Sequence, residues 1–291
     1  MTRIVTLVMA VLMAAAATAC GSSNSLAGGG SGGAIVVGSA DFVESELLME
    51  IYAAALQKAG IEAQIRPRLG SREITNVALQ DGSITVMPEF SGNLLQSVDP
   101  NATATAADEV YAAVQRSLPQ GLDVLEQSEA EVSDVLVVTQ ETAAARGLTS
   151  MDQLGPHCGQ LTLGAAGEWP GRWKDKIAQL YGCTFREILR TDVAGPVTLE
   201  ALRSDDAQVV NLNTTSPDIA VNRWVELADP KNMYPAQRIL PLVRAGVLNQ
   251  AGVDALNAVS AALTTEKLTE LNRRVIQERA VPADLAKEFV S

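Results

Sequence analysis

From residue 34 onward, apolar and polar positions alternate between two periods. The short apolar runs "AIVVGS" (34–39), "EAQIR" (62–66) and "SITVMP" (83–88) predict strands, the third stopping at Pro88. Between the first two, "ESELLMEIYAAALQKAG" (44–60) places Leu47, Leu48, Ile51, Ala55 and Leu56 at helical spacing and closes on Lys58 and Gly60. "SREITNVALQDG" (71–82) opens with Ser and Glu, a helix-start pattern, and Ser91-Gly92-Asn93 read as the start of another helix. This βαβαβ order predicts an α/β layer with a mainly parallel sheet.

A helix over 103–117 and a short strand near 122–125 follow, then the strand "DVLVVT" (134–139) and the helical turn "QETAAARG". A second α/β unit starts at "GQLTLGA" (159–165) and takes "WKDKIAQLYG" (173–182) as its helix. It continues through "REILR" (186–190), "LEALRS" (199–204) and "AQVVNLN" (207–213). "RILPLVR" (238–244) is one more strand, and the chain from Asn249 is almost wholly helical. The pattern therefore predicts two lobes joined by two crossings. Lobe I takes 34–134 plus 240–291, so both chain ends belong to it, and lobe II takes 135–239.

The first 33 residues follow a different pattern. One cation is followed by an apolar, small-residue run, Ile4 to Ala17, ending in "ATAC". The run is too short for a membrane span and fits a secretory signal over 1–19. A Cys in the closing position resembles a bacterial lipobox with Cys20 lipidated; the competing reading is ordinary cleavage beside an incidental cysteine. Residues 20–33, rich in Gly and Ser, read as a flexible tether. The expected location is the extracytoplasmic face of a bacterial membrane, lipid-anchored. In that oxidising setting Cys158 and Cys183 are expected to form a disulfide. Metal binding is the weaker alternative, because there is no CxxC and the only histidine, His157, adjoins Cys158.

Composition narrows the function further. Hydrophobic residues at 47% and charged residues at 19% describe a globular chain, and a net charge of −12 lacks the basic footprint of a nucleic-acid binder. No GxSxG elbow, phosphate loop or metal-ligand cluster is present, so no enzyme, cofactor or metal is expected. What the chain offers instead is polar and aromatic residues directly after strands: "SADFVES", "MPEFSGN", "GAAGEWPGR" and "NLNTTSPD". In open α/β sheets ligands bind beyond the carboxyl ends of strands, so these four loops predict a cleft.

These stretches resemble a family. "VGSADFVESELLMEIYAAALQKAG", "LGSREITNVALQDGSITVMPEFSGNLL" and "LYGCTFREI" are similar to the substrate-binding proteins of osmoprotectant ABC importers, which bind glycine betaine, proline betaine, carnitine or choline. The family pattern G-S-x-N-F-x-E matches Gly38 to Glu44 with Asp41 for Asn, and "LGSRE" matches Leu69 to Glu73. "PEYTGT" is read at Pro88 to Asn93, and "PEFxxR" is echoed at Gly167 to Arg172. The resemblance implies a two-lobed, type II-like periplasmic-binding-protein fold that closes on a small solute. It also implies a monomer partnered by an ABC permease with a separate ATPase. It offers Phe42, Phe90 and Trp169 as rings for a quaternary ammonium, Arg172 for a ligand carboxylate and Asn93 as a selector, with Ser45 replacing a common Gln. Glu89 is left open, as a loop anchor or a partner of nearby backbone.

Departures bear on the ligand. The family's Y-S-T-D is Asn213-Thr214-Thr215-Ser216 here, and Asp134 replaces another aromatic. Asp134 is either a cation partner or a solvated strand-end charge. A cleft with fewer rings keeps a second possibility, a hydroxylated or aromatic neutral ligand on the same fold. A third, of another class, is a lipoprotein that binds partners and no soluble solute.

Overall fold

The computed structural model describes residues 35–291, so the signal segment, Cys20 and the Gly/Ser tether lie outside the described residues. The chain begins with β1 (Ile35–Gly38), α1 (Val43–Lys58), β2 (Ala63–Arg66), α2 (Arg72–Asp81), β3 (Val86–Phe90), α3 (Ser91–Val98), α4 (Ala107–Ser117) and β4 (Leu122–Val124). The middle holds β5 (Asp134–Val138), α5 (Gln140–Arg146), β6 (Thr162–Ala166), α6 (Trp169–Tyr181), β7 (Glu187–Thr191), α7 (Pro196–Arg203), β8 (Val209–Asn213), α8 (Pro217–Asn222) and β9 (Val225–Leu227). It ends with β10 (Ile239–Arg244), α9 (Gln250–Ala262), α10 (Thr265–Gln277) and α11 (Pro282–Val290).

Two five-stranded sheets result, ordered β2-β1-β3-β10-β4 and β7-β6-β8-β5-β9. Strands β3, β5, β6 and β10 are buried along nearly their whole length, which explains their unbroken apolar runs. The sheets are mixed rather than mainly parallel. β1 runs parallel to β2 and β3, and β6 to β7 and β8, but β10 and β5 run antiparallel to their neighbours. β5 and β10 are the strands by which the chain enters each lobe from the crossings, so they start where the parallel strands end.

The third strand also runs two residues further than its pattern suggests. Pro88 continues β3 because it stands opposite Pro241 of β10, which confines the missing N–H donors to one rung. Each sheet has its own apolar core. The first is completed by α9, α10 and α11, whose Leu256, Val259, Leu268, Leu271 and Leu285 join Leu47, Leu48 and Ile51 of α1. The second is built around Leu136, Leu163, Trp169, Trp173 and Val209. There Cys158 and Cys183 are bonded, with Cα atoms 5.4 Å apart.

Segments 125–133 and 228–238 connect the two sheets. They pair with each other: Glu131 and Arg238 form an antiparallel bridge, and the Val132 N–H donates to the Gln237 carbonyl at 2.7 Å. No helix among the described residues is long and apolar enough to cross a membrane.

Candidate functional site

A cavity of about 300 Å³ opens between the two sheets, close to the paired crossings. Its walls come from the segments leading into α1, α2, α3 and α6, from the β7–α7 loop and from the heads of β5 and β8. Four helix N-termini thus surround one space, and their dipoles give it a positive bias. Phe42, Ser45, Phe90, Asn93, Asp134, Trp169, Arg172 and Asn213 all border the cavity.

The rings form two walls. Phe42 precedes α1 and Phe90 ends β3; their centroids lie 5.7 Å apart at an interplanar angle of 38°. Across the cavity Trp169 begins α6, only 2% exposed, with its indole N–H donating to the Tyr234 hydroxyl at 3.0 Å. Phe185, two residues beyond Cys183, supports Trp169 edge-on at 6.4 Å. Ser45 is fully buried and its hydroxyl accepts the Ala40 N–H at 2.9 Å, so it shapes the loop that carries Phe42.

The "SGN" that follows Phe90 has a steric reason. A Cβ on Gly92 would come within 2.7 Å of the Ala236 carbonyl oxygen, so only glycine lets α3 approach the second crossing this closely. That approach brings the Asn93 N–H to the Gln237 side-chain oxygen at 2.9 Å. Gln237 in turn donates to Asp134 Oδ2 at 3.1 Å, and Asn93 Nδ2 donates to the same oxygen at 3.3 Å. Asp134 is thereby held between a helix of the first lobe and a crossing, and burial raises its pKa.

Glu89 is settled differently. It is 1% exposed and held by Arg72, whose Nε donates to both carboxylate oxygens at 3.1 and 3.2 Å while Nη2 donates to Oε2 at 2.9 Å. It also accepts the N–H of Phe90 at 3.1 Å. Glu89 therefore serves both roles left open for it, anchoring the loop and bonding nearby backbone. Among the described residues Arg172 forms an ion pair only with Glu73, at 3.7 Å. Burial, and next the neighbouring charge of Arg72, lower its pKa.

Two residues assigned to the site from the sequence do not border the cavity. β8 ends at Asn213, so Thr214 and Thr215 lie in the turn beyond it. The Thr214 hydroxyl accepts the Ser133 N–H at 3.1 Å. The buried Thr215 hydroxyl donates to Glu44 of α1 at 2.7 Å, a contact between lobes that Asn272 of α10 shares by bonding the same carboxylate. Burial raises the pKa of Glu44. Conversely, Asn211, Arg72, Trp173 and Gln237 border the cavity without having been picked out. Asn211 was within reach of period-two reasoning, since it shares a strand face with Asn213. Gln237 lies in a crossing with no local pattern, and only the hinge pairing brings it in.

Comparison with known proteins bears on the family and the fold. The OpuAC model, the substrate binding domain of the ABC-type glycine betaine transport system, matches residues 33–291. The glycine betaine-binding protein YehZ of Escherichia coli (strain K12) is 25% identical over 274 residues, covering 87% of this chain and 90% of its own. A solved glycine betaine/carnitine/choline ABC transporter structure shares the fold at TM-score 0.70 and 20% identity, covering 88% of this chain and 97% of its own. An ABC-transporter choline-binding protein in complex with choline shares it at TM-score 0.64 and 13% identity, covering 88% and 87%. With two lobes, a cavity between them and the family model matched from residue 33 to the end, the chain belongs to the substrate-binding domains of ABC-type glycine betaine transport systems.

Proposed function

We propose that this protein captures a small compatible solute of the glycine betaine, choline or carnitine type and delivers it to an ABC permease driven by a separate ATPase. Lobes 34–134 plus 240–291 and 135–239 close over the solute by bending at the two crossings, and the permease reads the closed state. The protein works as a monomer, held outside the membrane by a lipid on Cys20 and the tether of residues 20–33. It carries out no chemistry on the solute.

The observation that carries this reading is the combination in one cavity of facing ring walls, Phe42 with Phe90 and Trp169, with an acid, Asp134, and a loosely paired guanidinium, Arg172. Rings bind a methylated ammonium through its positive face, each contributing about 0.5–2 kcal/mol. Arg172 suits a carboxylate at the other end of a zwitterion. Calorimetric titration with glycine betaine, choline and carnitine is expected to give saturable binding, with a fluorescence change from Trp169. Absence of heat and of any shift in Tm for all three would end the quaternary ammonium assignment. Detergent partitioning of the full chain and of Cys20→Ala tests the anchor, which predicts that only the variant leaves the detergent phase.

A second reading has its own support. Four amides, Asn93, Asn211, Asn213 and Gln237, border the cavity, Asn213 standing where the family resemblance places a tyrosine. An uncharged hydroxylated or aromatic solute would use them as hydrogen-bond partners. Polyols and neutral aromatics in the same titration series separate the two readings.

A further inference from the structure

The acidic groups around the cavity differ in what they have left to offer. Asp41 reaches Arg68 at 3.5 Å, and Glu89 is locked by Arg72. Asp192 spends its oxygens on the N–H groups of Gly195, Val197 and Thr198, at 3.2, 3.1 and 2.9 Å, as the cap of α7. Glu168, before α6, borders the cavity half-buried and without an ion pair among the described residues. Asp134 is the buried carboxylate whose hydrogen bonds come only from neutral amides, both on Oδ2, with the charges of Arg172 and Arg72 acting on it from nearby. Asn211 is close by, but its amide donates to the Val135 carbonyl at 3.4 Å. Among the described residues, Asp134 Oδ1 thus accepts no hydrogen bond. Its neighbour Asn93 uses Nδ2 on Asp134, and that leaves Asn93 Oδ1 buried without a partner.

Asp134 Oδ1 is therefore the acceptor left open at this corner, beside the enclosed and unpartnered Oδ1 of Asn93. A carboxylate oxygen shut off from water without a donor is costly, so once the cavity is filled this corner favours a ligand that brings an O–H or N–H. The quaternary ammonium solutes differ in this respect. Glycine betaine carries no donor at all: its nitrogen is fully methylated and its carboxylate only accepts. Choline and carnitine each carry a hydroxyl near the ammonium. With the methyl groups against the Phe42–Phe90 wall, that hydroxyl is the donor the corner lacks. The negative charge of Asp134 also favours the cationic end and opposes a carboxylate placed one carbon from the nitrogen, as in glycine betaine. A carboxylate further away, as in carnitine, can reach toward Arg172.

We infer that Asp134, with Asn93, makes this cleft select quaternary ammonium solutes that carry a hydroxyl donor, choline or carnitine, over glycine betaine. The inference rests on the quaternary ammonium reading above.

The test is calorimetry of choline, carnitine and glycine betaine on wild type, Asp134→Asn and Asp134→Ala, with circular dichroism and Tm confirming folding. Wild type is expected to bind choline and carnitine at least about tenfold more tightly than glycine betaine, the range for a hydrogen bond to a charged group. Asp134→Ala should shrink that ratio to within about threefold, mainly by weakening the hydroxylated ligands while glycine betaine holds or improves. Asp134→Asn keeps shape and an acceptor but loses the charge, and should fall between. A wild-type preference for glycine betaine, or equal weakening of all three ligands by Asp134→Ala, would overturn the selectivity and leave the solute class standing. If wild type binds none of the three, the selectivity falls together with the solute class.

Discussion

Glu89 and Asp134 border one cavity from opposite sheets and are satisfied in opposite ways. Glu89 meets a guanidinium fork and a backbone N–H, which together occupy both of its oxygens. Asp134 meets two side-chain amides on one oxygen. A buried charge with a complete set of partners belongs to the scaffold, because nothing remains for a ligand to satisfy. A buried charge with an incomplete set is tolerated when something else completes it, and in a cavity that something is a solute. The strand-end ring and carboxylate of "PEF" thus divide the work: Phe90 faces the cavity, and Glu89 fixes the loop that holds it there.

The strongest way to break this contrast is to remove the cation from the Glu89 side. Arg72→Met leaves a carboxylate buried without a counter-charge and is expected to cost about 3–5 kcal/mol of stability in urea unfolding. The double variant Arg72→Met with Glu89→Leu should recover most of that loss, since a well-packed apolar pair replaces an ion pair at little net cost. A double variant as unstable as the single one would show that the pair does more than compensate its own burial.

The Asp134 side has a covalent support that the Glu89 side lacks. Cys158–Cys183 pins the segment from which Phe185 braces Trp169. Replacing both cysteines with serine should cost about 3 kcal/mol by the loop-entropy relation for a closed loop of this length. Because the loop belongs to the second lobe, hydrogen exchange should accelerate around α6 and β7 and change little in α1 or α9. Uniform acceleration across both lobes would contradict two separately built cores.

The contrast also shows what could be read in the linear sequence. The loops that carry the rings were legible because each follows a strand, where apolar periodicity places a boundary; the roles of the rings and the choice of Asp134 came from the family resemblance. The alternation along "VVNLN" likewise carries Asn211 and Asn213 to one face. Thr214 and Thr215 were misplaced because that alternation ends with the strand, and the turn beyond it faces Ser133 and Glu44 instead. The extent of β3 was hidden because Pro88 reads as a breaker until its partner Pro241 is known, 153 residues later by the register of the sheet. Gln237 and the Arg72–Glu89 pair depend on contacts between distant segments, which no local pattern encodes.

A smaller effect tests the incomplete side directly. The folded pKa of Asp134 is raised above its usual 3.8, so the folded protein holds this proton more firmly than the unfolded chain. Its contribution to stability is fullest below 3.8 and is lost as pH rises through the raised value. Asp134→Asn removes that loss. The variant should therefore be more stable than wild type at neutral pH, by on the order of 1 kcal/mol, with the difference vanishing in acid. Chemical denaturation at several pH values measures it. A variant less stable at neutral pH would mean that the charge of Asp134 supports the fold as Glu89 does.

The smallest expected effect concerns Arg172, a cation that borders the same cavity as Asp134 and whose charge acts on it. Among the described residues its only ion-pair contact is Glu73, at 3.7 Å, and Glu73 is 69% exposed. Such a pair contributes little to stability, so Glu73→Gln should change unfolding free energy by no more than about 0.5 kcal/mol. Glu73 nevertheless competes with any ligand carboxylate for the same guanidinium. Its neutralisation should tighten binding of carnitine by about two- to threefold, less at high salt, and leave choline unchanged because choline has no carboxylate. Equal improvement for both ligands would place the effect in lobe closure, since Glu73 and Arg172 belong to different lobes and their pair also bridges the mouth. A gain confined to carnitine would place it at Arg172, and would fix the orientation of the solute, with cation and hydroxyl at Asp134 and carboxylate at Arg172.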